Sequence, residues 1–178
     1  DSTSGSTATN SAQGGVTGAV NGTAAWGAGK IANALSFDGS STYVLVSNYA
    51  KAQGELGVSG WGNVAAGTAT DVAFIRNAQG ALAVGGANVG QFELGLVANA
   101  DDGSVRLSAA IGAGPNIVRA TAPGVFTLGS WQYVAFSADG AQLRLYVNGQ
   151  EVASTDYAAA INPPNIPYLS IGARLALA

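Results

Sequence analysis

The sequence predicts an all-β fold, an antiparallel β-sandwich of the jelly-roll kind, and three observations predict it. Short apolar runs recur at intervals of about eight to twelve residues. Turn-forming Asp-Gly and Asn-Gly pairs separate them, and no stretch carries the 3.6-residue apolar period of a helix.

The elements follow in order along the chain. Residues 1–21 are rich in Ser, Thr, Gly and Ala without apolar periodicity, which predicts a flexible or extended arm. The sandwich domain is assigned to residues 22–178, with its first strand near Trp26. In SVRLSAAI, Val105, Leu107, Ala109 and Ile111 share one face, while Arg106 and Ser108 share the other, predicting one buried and one wet side. In LRLYVNG, Leu143, Leu145 and Val147 face the core and Arg144 and Tyr146 face out. Asn148-Gly149 then supplies two residues that tolerate positive φ, a strong hairpin signal. Asp102-Gly103 and Asp139-Gly140 predict two further hairpins, and Pro163-Pro164 with Pro167 predicts a rigid turn before PYLSIGAR. The segments 78–90 and 112–124 are glycine-rich and polar and are read as long loops.

Composition narrows the function. With 178 residues the chain fills one domain that buries roughly 70% of its unfolded surface, so disulfides are not required. Charged residues make up 10% of the chain, against about 25% in ordinary proteins, so the surface is neutral and polar. A net charge of −3 supplies no basic stripe for phosphate, which argues against nucleic acid and anionic membranes as partners. No run approaches the roughly 18 apolar residues of a membrane-inserted helix. The chain has no His, Cys or Met. Ser-His-Asp and Cys-His catalysis, and thiolate or imidazole zinc sites, are therefore excluded. Glu55, Glu93 and Glu151 are isolated, and Asp101-Asp102 sits in a turn, so the paired carboxylates of a glycosidase are not evident. These features predict that the protein is not an enzyme. The absence of Cys and Met, the most easily oxidised side chains, fits an extracellular or cell-surface location, and compositional drift explains it equally well.

Three segments resemble a known family. The run WGAGKIANALSFDGSSTYVLVSN (26–48), the run GSWQYVAFSADGAQLRLYVNGQEVAS (129–154) and LSIGAR (169–174) are similar, in order and spacing, to the entry, later and following segments of laminin-G-like, concanavalin A-like jelly-roll domains. The resemblance implies the sandwich fold and a family of lectins, adhesins, enzymes and structural repeats, so function is not implied by fold alone. It implies a core or packing role for Trp26, Trp61 and Trp131. It also implies a structural Ca2+ near the FDG turn, with Asp38 the carried-over position; a plain Asp38-Gly39 turn is the alternative, and no cofactor is required. Resembling domains pair a strand ahead of this region with one after the "IG" strand. Neither is visible here, so either the boundaries are trimmed or another chain completes the sheet edge.

Glycans stack on exposed rings. With the tryptophans assigned to the core, the remaining saccharide candidates are Tyr49, Tyr157 and Tyr168 with Asn88, Gln91 and Asn116; each is equally a lid residue or a connector. The sequence thus predicts a non-catalytic extracellular subunit, structural, filament-forming or adhesive, that self-associates or meets neighbouring subunits through sheet edges. The alternative is a carbohydrate-binding module of a larger secreted protein, with polysaccharide as partner.

Overall fold

The computed structural model describes residues 4–12, 15–79, 90–161 and 166–175. Fourteen strands and no helix occur among them: β1 (Thr7–Ala8), β2 (Gly18–Asn21), β3 (Ala25–Ala28), β4 (Asn33–Ser36), β5 (Tyr43–Val46), β6 (Leu56–Gly62), β7 (Val72–Asn77), β8 (Phe92–Ala98), β9 (Val105–Ala113), β10 (Asn116–Pro123), β11 (Gln132–Ala138), β12 (Gln142–Val147), β13 (Gln150–Asp156) and β14 (Leu169–Ile171). They form an eight-stranded sheet in the order β1-β2-β5-β14-β7-β8-β9-β10, a four-stranded sheet β13-β12-β11-β6, and the separate hairpin β3-β4. All pairings are antiparallel. The predicted β-sandwich is the fold observed.

The core lies between the two larger sheets. From one sheet come Phe92, Leu94 and Leu96 on β8 and Leu107, Ala109 and Ile111 on β9; from the other come Val134 and Phe136 on β11 and Leu143 and Leu145 on β12. Alternation puts each set on one face of its sheet. Phe92 and Phe136 meet across the sandwich with ring centroids 5.8 Å apart. Phe74 and Phe126 make a second ring contact at 5.6 Å.

The three predicted hairpins form where local turn chemistry requires them. Asn148 and Gly149 both take positive φ, 51° and 84°, between β12 and β13. Asp139 turns β11 into β12, its Oδ1 accepting the N–H groups of Ala141 and Gln142. Asp102 does the same for Ser104 between β8 and β9. Pro163 and Pro164 lie outside the described residues.

Other readings are corrected by long-range pairing. The arm assigned to 1–21 supplies β1 and β2, and β2 pairs with β5 through Val20↔Val44. Val20 and Val44 are buried, so the arm's few apolar residues suffice for an edge of the large sheet. The "IG" strand β14 needs no outer neighbour from a later segment, because it sits between β5 and β7. The segment 112–124 is not a long loop: it holds the end of β9, a turn at Gly114 and all of β10, with Ala120 and Ala122 packed in the core. Alanine faces there hide the alternation that larger residues would show. The side of β9 predicted to be wet is also closed, with Ser108 and Ala110 both buried. Gly172, after β14, packs against a ring; a Cβ there would lie 2.3 Å from Cδ1 of Phe37.

Two expected outcomes follow from this packing. Phe136→Ala should lower unfolding free energy by about 3–5 kcal/mol, because a core ring leaves a cavity that neighbours fill incompletely; urea denaturation measures it. Asp139 is held down to about 2 by the Gln142 N–H, Arg144 and the Ala141 N–H. A depressed carboxylate stabilises the fold above its ordinary value and loses that contribution as pH falls through its folded value. The melting temperature should therefore hold down to about pH 4 and fall toward about pH 2, less steeply in Asp139→Asn.

Candidate functional site

The outward face of the four-stranded sheet carries an aromatic surface. On β6, Leu56 and Val58 point inward, so Gly57, Ser59 and Trp61 point outward. Trp61 lies directly opposite Tyr133 on β11, with ring centroids 5.4 Å apart and planes at 57°. Trp61 is 39% exposed, and Lys30 from the β3-β4 turn places its Nζ 5.4 Å from the indole centroid. Beyond the rings the same face continues through Ser59, Ala135 and Tyr146, then Ser137 and Arg144. The Ser137 and Tyr146 hydroxyls are 3.4 Å apart. Arg144 is neutralised between Asp139 and Glu151. The face thus offers a ring platform at one corner and hydroxyls along its length.

This corrects the core or packing role read for Trp61. Trp61 is exposed, Trp131 is half-buried, and half-buried Trp26 donates its Nε1–H to the Gly5 carbonyl. The signal for Trp61 was its odd parity against Leu56 and Val58, blurred by three glycines in one strand.

The outward face of the eight-stranded sheet carries ions instead. One row crosses it through Ser170, Arg76, Glu93, Ala110 and Arg119. Arg76 is fully buried, with Nη2 3.6 Å from Glu93 Oε2. Burial pushes the Arg76 pKa down, opposed by Glu93. Arg174 reaches over the row, donating from Nε to Glu93 Oε1 at 2.8 Å and from Nη1 to Asp71. Asp71 also accepts the Ala98 N–H at 2.7 Å. Burial opposes its charge, but that N–H and Arg174 outweigh it and hold its pKa below the usual carboxylate range. A pocket of about 320 Å3 opens beside this network, lined by Asp71, Glu93, Ser108, Arg119, Thr121 and Arg174. Both carboxylates are engaged by one arginine, an arrangement that ties sheet to loop.

The saccharide candidates read from the sequence take other places. Tyr49 packs edge-on against Phe92 at 6.2 Å, with its hydroxyl 3.5 Å from Gln91 Oε1; burial raises its pKa. Gln91 is fully buried and bonds both the N–H and the carbonyl of Ala52. Tyr157 is buried and accepts the Gly140 N–H at 2.7 Å. Tyr168 is buried, its hydroxyl 3.5 Å from the Leu175 carbonyl. Asn116 is exposed at the start of β10, and Asn88 lies outside the described residues. Structure therefore joins Tyr49 with Gln91 and gives Tyr157 and Tyr168 hydrogen-bonded packing roles.

Asp38 caps a turn. Its Oδ1 accepts the N–H groups of Ser40, Ser41 and Thr42, and its Oδ2 accepts the Ser41 hydroxyl at 2.6 Å. The Ser41 hydroxyl, with the three N–H groups, holds the carboxyl far below its usual range. Calcium takes six to eight oxygens. Among the described residues no group of three or more Asp, Glu, His or Cys gathers around a common point. The donor set around Asp38 is that of a turn cap.

A family model described as the concanavalin A-like lectin/glucanases superfamily matches residues 38–176. The chain belongs to that superfamily. This concanavalin A-like chain is similar in structure to domain 4 of an extracellular arabinanase from Geobacillus stearothermophilus, solved in complex with arabinotriose. The two share 22% identity with a TM-score of 0.57, over 86% of this chain and 68% of that one. It is also similar to the binding domain of a paraclostridial mosquitocidal protein, at 11% identity and TM-score 0.59, over 92% of this chain and 45% of that one. Domains LG4-5 of the mouse laminin alpha1 chain match at 15% identity and TM-score 0.50, over 75% of this chain and 32% of that one. No curated protein sequence matches the chain. At these identities the likenesses report the concanavalin A-like fold alone.

Replacing Asp38 separates its turn role from ion binding. Asp38→Ala should lower the melting temperature in calcium-free buffer, because three N–H groups lose their acceptor, while Asp38→Asn keeps an acceptor oxygen and should lower it less. Equal effects of the two variants, appearing only with millimolar calcium, would assign Asp38 to a cation instead.

Proposed function

We propose that this chain is a non-catalytic carbohydrate-binding module that serves adhesion at a cell surface or in the extracellular space. The observation that carries the reading is the Trp61–Tyr133 pair, held outward on a rigid sheet face and 39% exposed at the indole. Sugar rings present C–H faces that pack on aromatic rings, while their hydroxyls pair with polar side chains beside them. Ser59, Ser137 and Tyr146 supply such hydroxyls on this face. Superfamily membership supports the reading, and so does the likeness to an arabinanase domain that holds arabinotriose. The lack of catalysis is supported by the absence of His and Cys and by the engagement of Asp71 and Glu93 with Arg174.

Titration calorimetry with soluble arabinan and a panel of neutral and acidic polysaccharides tests this. The wild-type chain should bind at least one of them, and Trp61→Ala should weaken that binding at least about tenfold, or about 1.4 kcal/mol. Because the indole is partly in solvent, the variant should keep its melting temperature within a few degrees. Unchanged affinity in Trp61→Ala would remove the platform from the account.

A further inference from the structure

Strands at the rim of a sheet expose unpaired N–H and C=O groups, and natural sheets blunt them by shortening, charge, proline, bulges or cover. Three of the four rim strands of the two larger sheets are blunted. β1 has two residues. β10 carries Arg119 and ends on Pro123. β13 carries Glu151 and Asp156, shifts register opposite Leu145/Tyr146, and is tied to β10 by the Thr155 hydroxyl on the Arg119 carbonyl. β6 itself is neither short nor bulged, and Lys30 meets it over Trp61 on the outward face. It is seven residues long, Leu-Gly-Val-Ser-Gly-Trp-Gly, with no charge and no proline. Its register with β11 is unbroken over seven pairs, and among the described residues no other strand runs along its far edge.

The residue order along β6 is complementary to itself. With a two-fold axis through Ser59, an antiparallel copy brings Leu56 opposite Gly62, Gly57 opposite Trp61 and Val58 opposite Gly60. Every bulky side chain then faces a glycine, and Ser59 faces its own counterpart. Parity agrees as well: Gly57, Ser59 and Trp61 share the outward face, and Leu56, Val58, Gly60 and Gly62 share the inward one. Directly opposed residues of an antiparallel pair lie on the same face, so no side chain has to cross the sheet. A self-complementary edge is the form that a two-fold interface requires.

We propose that β6 pairs antiparallel with β6 of a second copy of this chain, joining the two four-stranded sheets into one continuous sheet. The pairing satisfies backbone groups of β6 that have no partner strand among the described residues. It also places both Trp61–Tyr133 pairs on one outward face, which makes any polymer ligand a bivalent one. The pairing itself is independent of whether that ligand is a carbohydrate.

Sedimentation velocity from micromolar to millimolar protein should show a monomer–dimer equilibrium. Ser59→Lys puts two like charges opposite each other at the axis and should weaken dimerisation at least about tenfold, with an unchanged circular dichroism spectrum. A second variant covers the case in which that one misfolds. The chain has no cysteine, so Ser59→Cys introduces a single thiol opposite its own copy, at a Cα separation of about 4.5–5.5 Å that a disulfide spans. It should cross-link to a covalent dimer under mild oxidation, well ahead of Ser137→Cys on the neighbouring strand β11. A chain that stays monomeric at millimolar concentration overturns the proposal. So does a dimer in which Ser59→Cys cross-links no faster than Ser137→Cys.

Discussion

The alternation of side chains along a strand is the constraint on which this molecule rests. With a period of two, each residue on β8 either joins the core, as Phe92, Leu94 and Leu96 do, or faces outward, as Glu93, Gly95 and Val97 do. Because opposed residues in antiparallel strands share a face, a choice made on one strand is imposed on its neighbours. The ionic row through Arg76, Glu93 and Arg119 and the aromatic corner at Trp61 and Tyr133 are both consequences of that rule, on the outer faces of different sheets.

The same rule explains what could be read from the sequence. Hairpins at Asp102-Gly103, Asp139-Gly140 and Asn148-Gly149 were legible because a turn depends on a few adjacent residues, and the structure places each between paired strands. Alternation in β12 was legible because Leu143, Leu145 and Val147 are large. β10 was not, because its inward residues include Ala120 and Ala122, whose small side chains give a weaker apolar signal than Leu or Val. β2 was hidden for another reason: four residues, GAVN, become a strand only by pairing with β5 more than twenty positions away. The aromatic surface failed at the sequence level through the family pattern, which favoured a packing role for Trp61 over the parity of its own strand. Tyr157 and Tyr168 could not be told from exposed rings, since burial depends on tertiary packing that brings Gly140 to Tyr157 and Leu175 to Tyr168.

The ionic network trades stability for geometry. Burying Arg76 beside Glu93 carries a desolvation cost that the attraction between them offsets only in part, and apolar replacements often pack as well. What the charges add is directionality. Arg174 grips Glu93 on the sheet and Asp71 ahead of β7, so the chain after β14 is fixed to the outer face by bonds of defined angle, where apolar contacts would allow sliding.

The position of β14 has a consequence for how the chain reaches this state. Residues 169–171 lie between β5 and β7, so the eight-stranded sheet is two separate fragments until that segment is available. Synthesis runs from the N-terminus at about 5–20 residues per second, so β1, β2 and β5 wait several seconds beside an open slot before their neighbour emerges. A nascent chain is thereby held short of its native sheet, and the sandwich behaves as a latch that closes only when β14 fills the slot between β5 and β7.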